Sequence, residues 1–279
     1  MWFELHAHSW YSKGTILGEE SIDSPIEMVR EARRKGLQGI AITDHNSFKS
    51  WDSLKNLKFD DFVVIPGEEI HTQQGHLIAL GISEEIKPNQ DLFETIDKVK
   101  AQGGIIIAPH PFDLGKFGLR NYAKYVDAIE VFNSGNLDRF SNLRAKKFAE
   151  KIGKPKVVGT DAHMKEFIGR AATKLDVDLN LDSVLNAIKK GKVLELRQEY
   201  LTIKELTNWY ISRLNRNYER AVNHIDNYNF AKKTIAKSLL KLSDKESIFS
   251  RGVISLLSYL SFTASASYSF LINFPRCLV

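Results

Sequence analysis

Short apolar runs that end on an imidazole or a carboxylate alternate with amphipathic stretches through the first two hundred residues. That alternation restricts the fold more than any other feature of the chain. The runs 2–6, 39–43, 62–66, 76–82, 104–108, 128–132 and 156–159 have strand length and strand composition. Between them, residues 24–36, 89–104 and 136–154 space their apolar side chains as helices do. In the first of these, Ile26, Val29 and Ala32 follow Pro25, suited to a first turn, and precede Gly36, suited to a stop. Strands alternating with helices predict a parallel sheet joined by crossovers. Seven strands, most ending in a ligand-type residue, favour closure into a βα barrel, which brings all those ends to one face. An open doubly wound sheet would concentrate function at one switch point and leave its edge strands idle. A further helix over 182–190 and a short strand in VLELR complete a body that ends near residue 198.

Seven of the eight histidines fall within the first 163 residues, in ELHAHS, AITDHN, EEIHTQQGHL, IIIAPHP and GTDAHM. Residues i and i+2 of a strand face the same way, so His6 and His8 project together and can grip one ion. Asp161 and His163 repeat the device at the far end of the barrel sequence. Glu68 or Glu69 supplies a carboxylate able to bridge two ions, and His45, His76 and His110 fill the remaining positions. Mixed imidazole and carboxylate ligation suits Zn²⁺, Mn²⁺ or iron better than Ca²⁺ or Mg²⁺. His71 is out of register with the others and reads as an ordinary polar residue, as does His224 on a C-terminal helix. Asn133 either lines the cleft or shapes a turn, and Pro66 and Pro111 shape loops. No glycine-rich phosphate loop is present in the sequence.

In order, HAHS, TDH, PGEE followed by GHL, APHP and TDAH resemble the motifs of the PHP (polymerase and histidinol phosphatase) family over residues 1–175. The resemblance implies a distorted seven-stranded (β/α) barrel and a two- or three-metal site that hydrolyses phosphoesters. Carried over position by position, it implies His6, His8, His45, Glu69, His76, His110, Asp161 and His163 as ligands, with Glu69 preferred to Glu68. Asp44 and Glu4 would then orient imidazoles, and Arg170 in IGRAAT would contact phosphate. One position departs from the pattern. Many members carry serine-aspartate-glycine where this chain has Ser12, Lys13 and Gly14, and a protonated lysine cannot ligate a metal. Either the third ion is lost, or Glu19, Glu20 or Asp23 supplies its carboxylate, or the Lys13 ammonium pairs with substrate phosphate. Two firmly held divalent ions with a weak or absent third is the expectation.

The expected activity is hydrolysis of phosphomonoesters or nucleotide phosphates by a metal-bound hydroxide, with His45, His163 or Lys13 binding phosphoryl oxygens or protonating the leaving group. A single-strand nuclease of the same fold and a non-catalytic metal-binding module are the alternatives, and similar metal barrels also cleave amides. The nuclease reading draws on charge. The net excess of +5 lies wholly in residues 200–279, a basic helical appendage with eleven lysines and arginines against five acids. Trp209, Tyr210, Tyr218 and Tyr228 are interleaved with those cations, although core packing explains most of them. Apolar stripes run through Ile203, Leu206, Tyr210, Leu214, Ala221 and Ile225, and through Phe230, Ile235, Leu239 and Leu242. Residues 252–275 carry no charge and are long enough to span a bilayer, but six serines dilute them, so a helix packed on protein is the favoured reading over a membrane contact. One cysteine, Cys277, and no leader-like N-terminus lead to an expectation of a cytoplasmic protein.

Overall fold

The computed structural model describes residues 1–13, 18–115, 117–227, 229–244 and 248–277, apart from the side chains of 230, 231, 239, 242–244 and 248–250. Gly14 and Tyr228 lie outside the described residues, as do the side chains of Phe230, Leu239 and Leu242.

Nine strands form one sheet: β1 (Trp2–Glu4), β2 (Gly39–Ile42), β3 (Val63–Thr72), β4 (Gly75–Leu80), β5 (Ile105–Ala108), β6 (Ala128–Asn133), β7 (Lys156–Gly159), β8 (Ala171–Leu175) and β9 (Val193–Gln198). Their spatial order is β7-β6-β5-β4-β3-β2-β1-β8-β9. The first and seventh strands meet again beyond their ends. Ala7 bridges Ala162, His8 N–H donates to the Ala162 carbonyl at 2.8 Å, and Asp161 N–H donates to the His6 carbonyl at 2.9 Å. The sheet therefore curls into a nearly closed barrel, as the ligand-bearing strand ends required.

Two expectations need correcting. The strand count among the described residues is nine, not seven, because β8 and β9 add an antiparallel pair beside β1. Nor is the sheet wholly parallel, since β3 pairs with β4 and β4 with β5 in antiparallel sense. Pro66-Gly67 reads as a strand stop, but β3 continues through it to Thr72 and turns directly into β4. Proline is tolerated there because its carbonyl still accepts from Gly81 N–H at 2.8 Å, and only its missing donor is lost.

Helices α1 (Pro25–Arg34), α2 (Ser50–Leu54), α3 (Leu92–Ala101), α4 (Phe140–Ile152) and α5 (Leu181–Lys189) occupy the connections. Ser24 caps α1 in a reciprocal box with Glu27, Pro25 takes the first turn, and Gly153 ends α4 in the left-handed conformation. Phe3, Ala41, Ile65, Ile78, Ala128 and Val157, from six different strands, form one buried cluster that Val184 and Ile188 of α5 join. Burial of such side chains supplies roughly 25 cal/mol per Å² of apolar surface and fixes the backbone from which the ligands project.

After Leu201 the chain is helical: α6 (Ile203–Arg216), α7 (Tyr218–Ile225), α8 (Phe230–Asp244) and α9 (Ile248–Asn273). The bilayer-spanning reading of 252–275 is not met, because no helix among the described residues is long and apolar enough to cross a membrane. Instead α9 docks its last turns on α4. Ser269 donates to Asp138 at 2.7 Å, Arg144 donates to the Asn273 side chain at 3.0 Å, and the Phe270 and Phe140 rings meet edge to face. Its polar residues thus enter a buried hydrogen-bonded seam, which a lipid environment would leave unsatisfied.

Candidate metal centre

Glu69 stands at the middle of the barrel mouth with no exposed surface. Alternation along β3 aims it inward and sends its neighbour Glu68 the other way, where Glu68 accepts from Ile86 N–H at 3.0 Å. One Glu69 oxygen, Oε2, lies 3.1 Å from His6 Nε2, 3.3 Å from His8 Nε2 and 3.2 Å from His45 Nδ1. Its other oxygen, Oε1, lies 2.8 Å from His76 Nδ1 and 3.1 Å from His110 Nε2. Asp161 Oδ1 completes the first group, 3.0 Å from His8 Nε2 and 3.4 Å from His6 Nε2. Five of the expected ligands therefore surround the Glu69 carboxylate, Asp161 joins them through His6 and His8, and His163 lies one step out, with Nδ1 3.5 Å from Asp161 Oδ1.

The donor set fits divalent ions. His6 Nε2 and His8 Nε2 point at each other across 3.1 Å, and the buried Asp161 Oδ1 beside them has no hydrogen-bond partner. Atoms held about 2.0–2.1 Å from a tetrahedral zinc ion lie roughly 3.3 Å from one another, the spacing seen here. Four overlapping triads of this kind occur among the described residues: His6/His8/Glu69, His6/His110/Asp161, His45/Glu69/His76 and His8/His45/His163.

Electrostatics favour the ligating forms of Glu69, Asp161, His8 and His45, whereas His6, despite burial, is raised well above the usual imidazole value by Asp161, Glu130 and Glu69. Burial alone would raise the Glu69 carboxyl, but His45, His6 and His76 bring it well below the usual carboxylate range. Asp161 is likewise held down against burial by His6, His8 and His163. Burial lowers His8 and takes His45 down to about 3, so both keep their lone pairs. His110 goes the other way, to about 9, because Glu69 outweighs its burial. A carboxylate that attracts a proton to that ring attracts a cation to the same space.

A third pocket lies beside the first two, and its carboxylate comes from the insertion after the first motif. Glu20 Oε2 is 3.4 Å from His45 Nε2 and 3.7 Å from His163 Nε2, while its Oε1 is 3.3 Å from Arg213 Nη2 on α6. Opposed by burial but drawn down by His163, His45 and Arg213, the Glu20 carboxyl falls to about 2. The other two candidates are occupied elsewhere, Glu19 with Arg216 and Asp23 with Lys165.

Several residues sit elsewhere than expected. Lys13 is half exposed at the rim, bonded to the Asn46 carbonyl at 3.2 Å, rather than aimed into the cluster. Arg170 pairs with Glu199 and Glu205, so both ends of its guanidinium are engaged away from the ligands. Glu4 and Asp44 do not orient imidazoles. Glu4 accepts from Thr160, Gly169 and His6 backbone N–H groups and from the Thr160 hydroxyl, and Asp44 accepts from Ser9. His71 is exposed opposite His76, and His224 lies in α7.

The imidazole-orienting carboxylate is Glu130, which the sequence reading missed. Its Oε1 lies 2.9 Å from His6 Nδ1, and its Oε2 accepts from His110 N–H at 2.7 Å and from Asn133 Nδ2 at 3.0 Å. The signal was a lone acid inside the apolar strand AIEVFN. Asn133 also donates to Asp161 at 3.2 Å, so it both lines the cleft and holds a ligand. A β-carbon at Gly159 would collide with Glu130 and His6, which explains glycine there. Asp161 and His110 adopt left-handed φ values of 58° and 26°, local strain of the kind concentrated at functional sites.

Comparison with known proteins gives the same picture. A family model described as PHP-associated matches residues 139–193. An uncharacterized protein of Methanocaldococcus jannaschii (MJ0417) is 34% identical over 237 residues, 78% of this chain and 93% of the relative. A second from the same organism (MJ1587) is 35% identical over 50% of this chain and 85% of its own length. Among solved structures, PsfC from Pseudomonas syringae superposes with a TM-score of 0.56 at 16% identity, covering 77% of this chain and 98% of that one. A two-domain Bacteroides vulgatus protein containing a predicted PHP-like metal-dependent phosphoesterase superposes with a TM-score of 0.54 at 18% identity, covering 76% and 69%.

Proposed function

The chain belongs to the PHP family, and from that premise we propose that it is a metal-dependent phosphoesterase that releases phosphate from phosphomonoesters. The observation that carries the reading is the convergence of His6, His8, Glu69 and Asp161 on one point, where the buried Asp161 Oδ1 has no hydrogen-bond partner. His6, His8, Glu69 and Asp161 would hold divalent ions there, which would supply an acidified water and charge neutralisation for the phosphoryl group.

The chain's own residues do the rest. Glu69 offers one oxygen to each of two adjoining sites, so it fixes their separation. Glu130 holds His6 by its Nδ1, leaving Nε2 to ligate, and Asn133 steadies Asp161. His163 lies at the cleft edge with Nδ1 2.9 Å from the Asp161 carbonyl. Burial opposes its acid form, but Glu20 and Asp161 outweigh burial and raise its pKa. It is therefore the group placed to hold a proton at Nε2 for the departing oxygen. Lys13 and Arg170 have no part in this mechanism, given their other partners. Two ions held firmly remain the expected content, with a third beside Glu20 and His45 weak or absent, so that His163 Nε2 stays available for its proton.

The test is a manganese- or zinc-supplemented hydrolysis screen across sugar phosphates, nucleotides, aryl phosphates and short oligonucleotides. Phosphate release from monoesters is expected, with His8→Ala and Asp161→Ala each reducing turnover by at least about a hundredfold while circular dichroism is unchanged. A fully metal-loaded protein inert toward every phosphoester, or either variant retaining full activity, would overturn the reading.

A further inference from the structure

The metal centre opens into a cavity of about 730 Å³, bounded on one side by barrel loops and on the other by α6 and α9. Asp161 and His163 lie at its inner end, and Leu206, Trp209, Tyr210, Leu257 and Phe262 are among its walls. Among the described residues that line it there is no lysine or arginine, and the only acids are Asp113, Asp138 and Asp161. Trp209 is fixed where cavity and centre meet. Its indole donates to the Glu20 carbonyl at 2.9 Å, its ring lies 5.1 Å from the His163 ring, and the Tyr210 ring lies 4.8 Å from it at a tilt of 44°.

A cavity with these walls recognises a particular leaving group. A second phosphate would find no cation there, and a sugar would meet only scattered amides and hydroxyls (Asn133, Asn136, Tyr210, Ser258, Ser261, Ser265) on walls made mainly of leucine, phenylalanine and indole. A densely hydroxylated or charged group therefore loses more hydration than it regains. An apolar or aromatic group would gain burial of its own surface, and a flat ring could stack on the indole. The volume falls in the range of small-molecule sites. Resting on the phosphoesterase reading, we propose that the substrate is a phosphomonoester of an uncharged aromatic or apolar alcohol. The phosphate lies at the metal centre and the carbon skeleton lies between the barrel loops and α6/α9. Water attacks phosphorus, the P–O bond to that alcohol breaks, and the alcohol oxygen leaves with a proton. The products are inorganic phosphate and the free alcohol. An upstream reaction must then phosphorylate an apolar alcohol, or trim a diphosphate ester of one to the monophosphate.

Two measurements on the full-length protein test this. The first compares kcat/KM for 1-naphthyl phosphate and octyl phosphate with that for glycerol phosphate and glucose 6-phosphate. A preference of at least about tenfold for the apolar pair is expected. The second titrates 1-naphthylmethylphosphonate, which cannot be hydrolysed, into wild type and Leu257→Lys. Weakening of about tenfold or more in the variant is expected, with bound-metal content retained. Glucose 6-phosphate or an oligonucleotide turned over as well as the naphthyl ester overturns the cavity assignment and leaves the phosphoesterase reading standing. So does phosphonate binding unaffected by Leu257→Lys. Phosphonate bound in the cavity with no ester hydrolysed supports the assigned ligand chemistry and overturns the phosphoesterase reading.

Discussion

Glu68 and Glu69 are adjacent in sequence and opposite in consequence. The strand turns one into a ring of imidazoles and the other into a buried site where the Ile86 N–H donates to it and Glu85 and Asp44 are like-charged neighbours. Without cationic neighbours close enough to offset burial, Glu68 is raised to about 8, burial being the main cause. Its folded pKa lies above the unfolded value of 4.5, so between those pH values the native state binds a proton that the unfolded chain releases. This contribution is fully present below the unfolded pKa and is lost as pH climbs through about 8. The loss amounts to roughly 1.4 kcal/mol for each pH step of one crossed between the two values. Urea midpoints of wild type should therefore fall from pH 5 to pH 8 relative to those of Glu68→Gln, whose neutral amide cannot titrate. Parallel pH profiles for the two proteins would contradict the assignment. The choice of Glu69 over Glu68 comes from the family's proline-glycine-x-glutamate pattern, because the apolar run before it reads as ending at residue 66 and gives no strand parity to decide between them. The role of Glu130 was legible in principle, since an acid inside a wholly buried strand needs a partner. Glu20 could be narrowed only to a choice of three, because its placement depends on a helix nearly two hundred residues later.

Strands carry the ligands, and the strand ends were the readable part. The runs at 39–43, 104–108, 128–132 and 156–159 correspond closely to β2, β5, β6 and β7. Two features escaped. The run at 76–82 was legible as β4, but the extension of β3 past residue 66, and with it the hairpin, was hidden by Pro66-Gly67, a dipeptide that ordinarily breaks pairing but here crosses a position where only a carbonyl is needed. β8 was hidden by its composition, AATKL, in which two alanines and a lysine give no alternation. At β7 the tolerance is narrowest. Gly159→Ala would push the new methyl into Glu130 and His6, so we expect a stability loss of about 1–3 kcal/mol and weaker metal retention. Thermal melts with and without EDTA separate the two effects: the variant should respond less to the chelator than wild type. An unchanged response would show that His6 and Glu130 accommodate the methyl without moving.

Across the whole molecule, the helices after Leu201 act on the barrel mouth rather than hang from it. Trp209 and Arg213 of α6 reach the Glu20 segment, and α9 returns to α4 on the far wall of the cavity. The charge asymmetry that set this region apart is partly consumed within the molecule: Arg213 and Arg216 face Glu20 and Glu19, and Lys233 and Lys237 face Asp226. Composition registers the excess of cations but not the acids that meet them. Arg213→Ala should weaken the last divalent ion to bind by about tenfold, leaving the first two in place, with partial recovery in Arg213→Lys. Isothermal titration of the metal-depleted protein reads this directly, and three unaltered affinities would sever α6 from the centre.

The bridge between Ala7 and Ala162 sets the order of events during synthesis. His8 and Asp161 lie side by side only when the two ends of the barrel sequence are hydrogen-bonded together. A nascent chain that has not yet released its seventh strand from the ribosome therefore lacks Asp161 and His163, and the triads that use them cannot assemble, whereas His6/His8/Glu69 and His45/Glu69/His76 draw only on strands already made. Completion of the centre, rather than its first chelate, must follow closure of the ring.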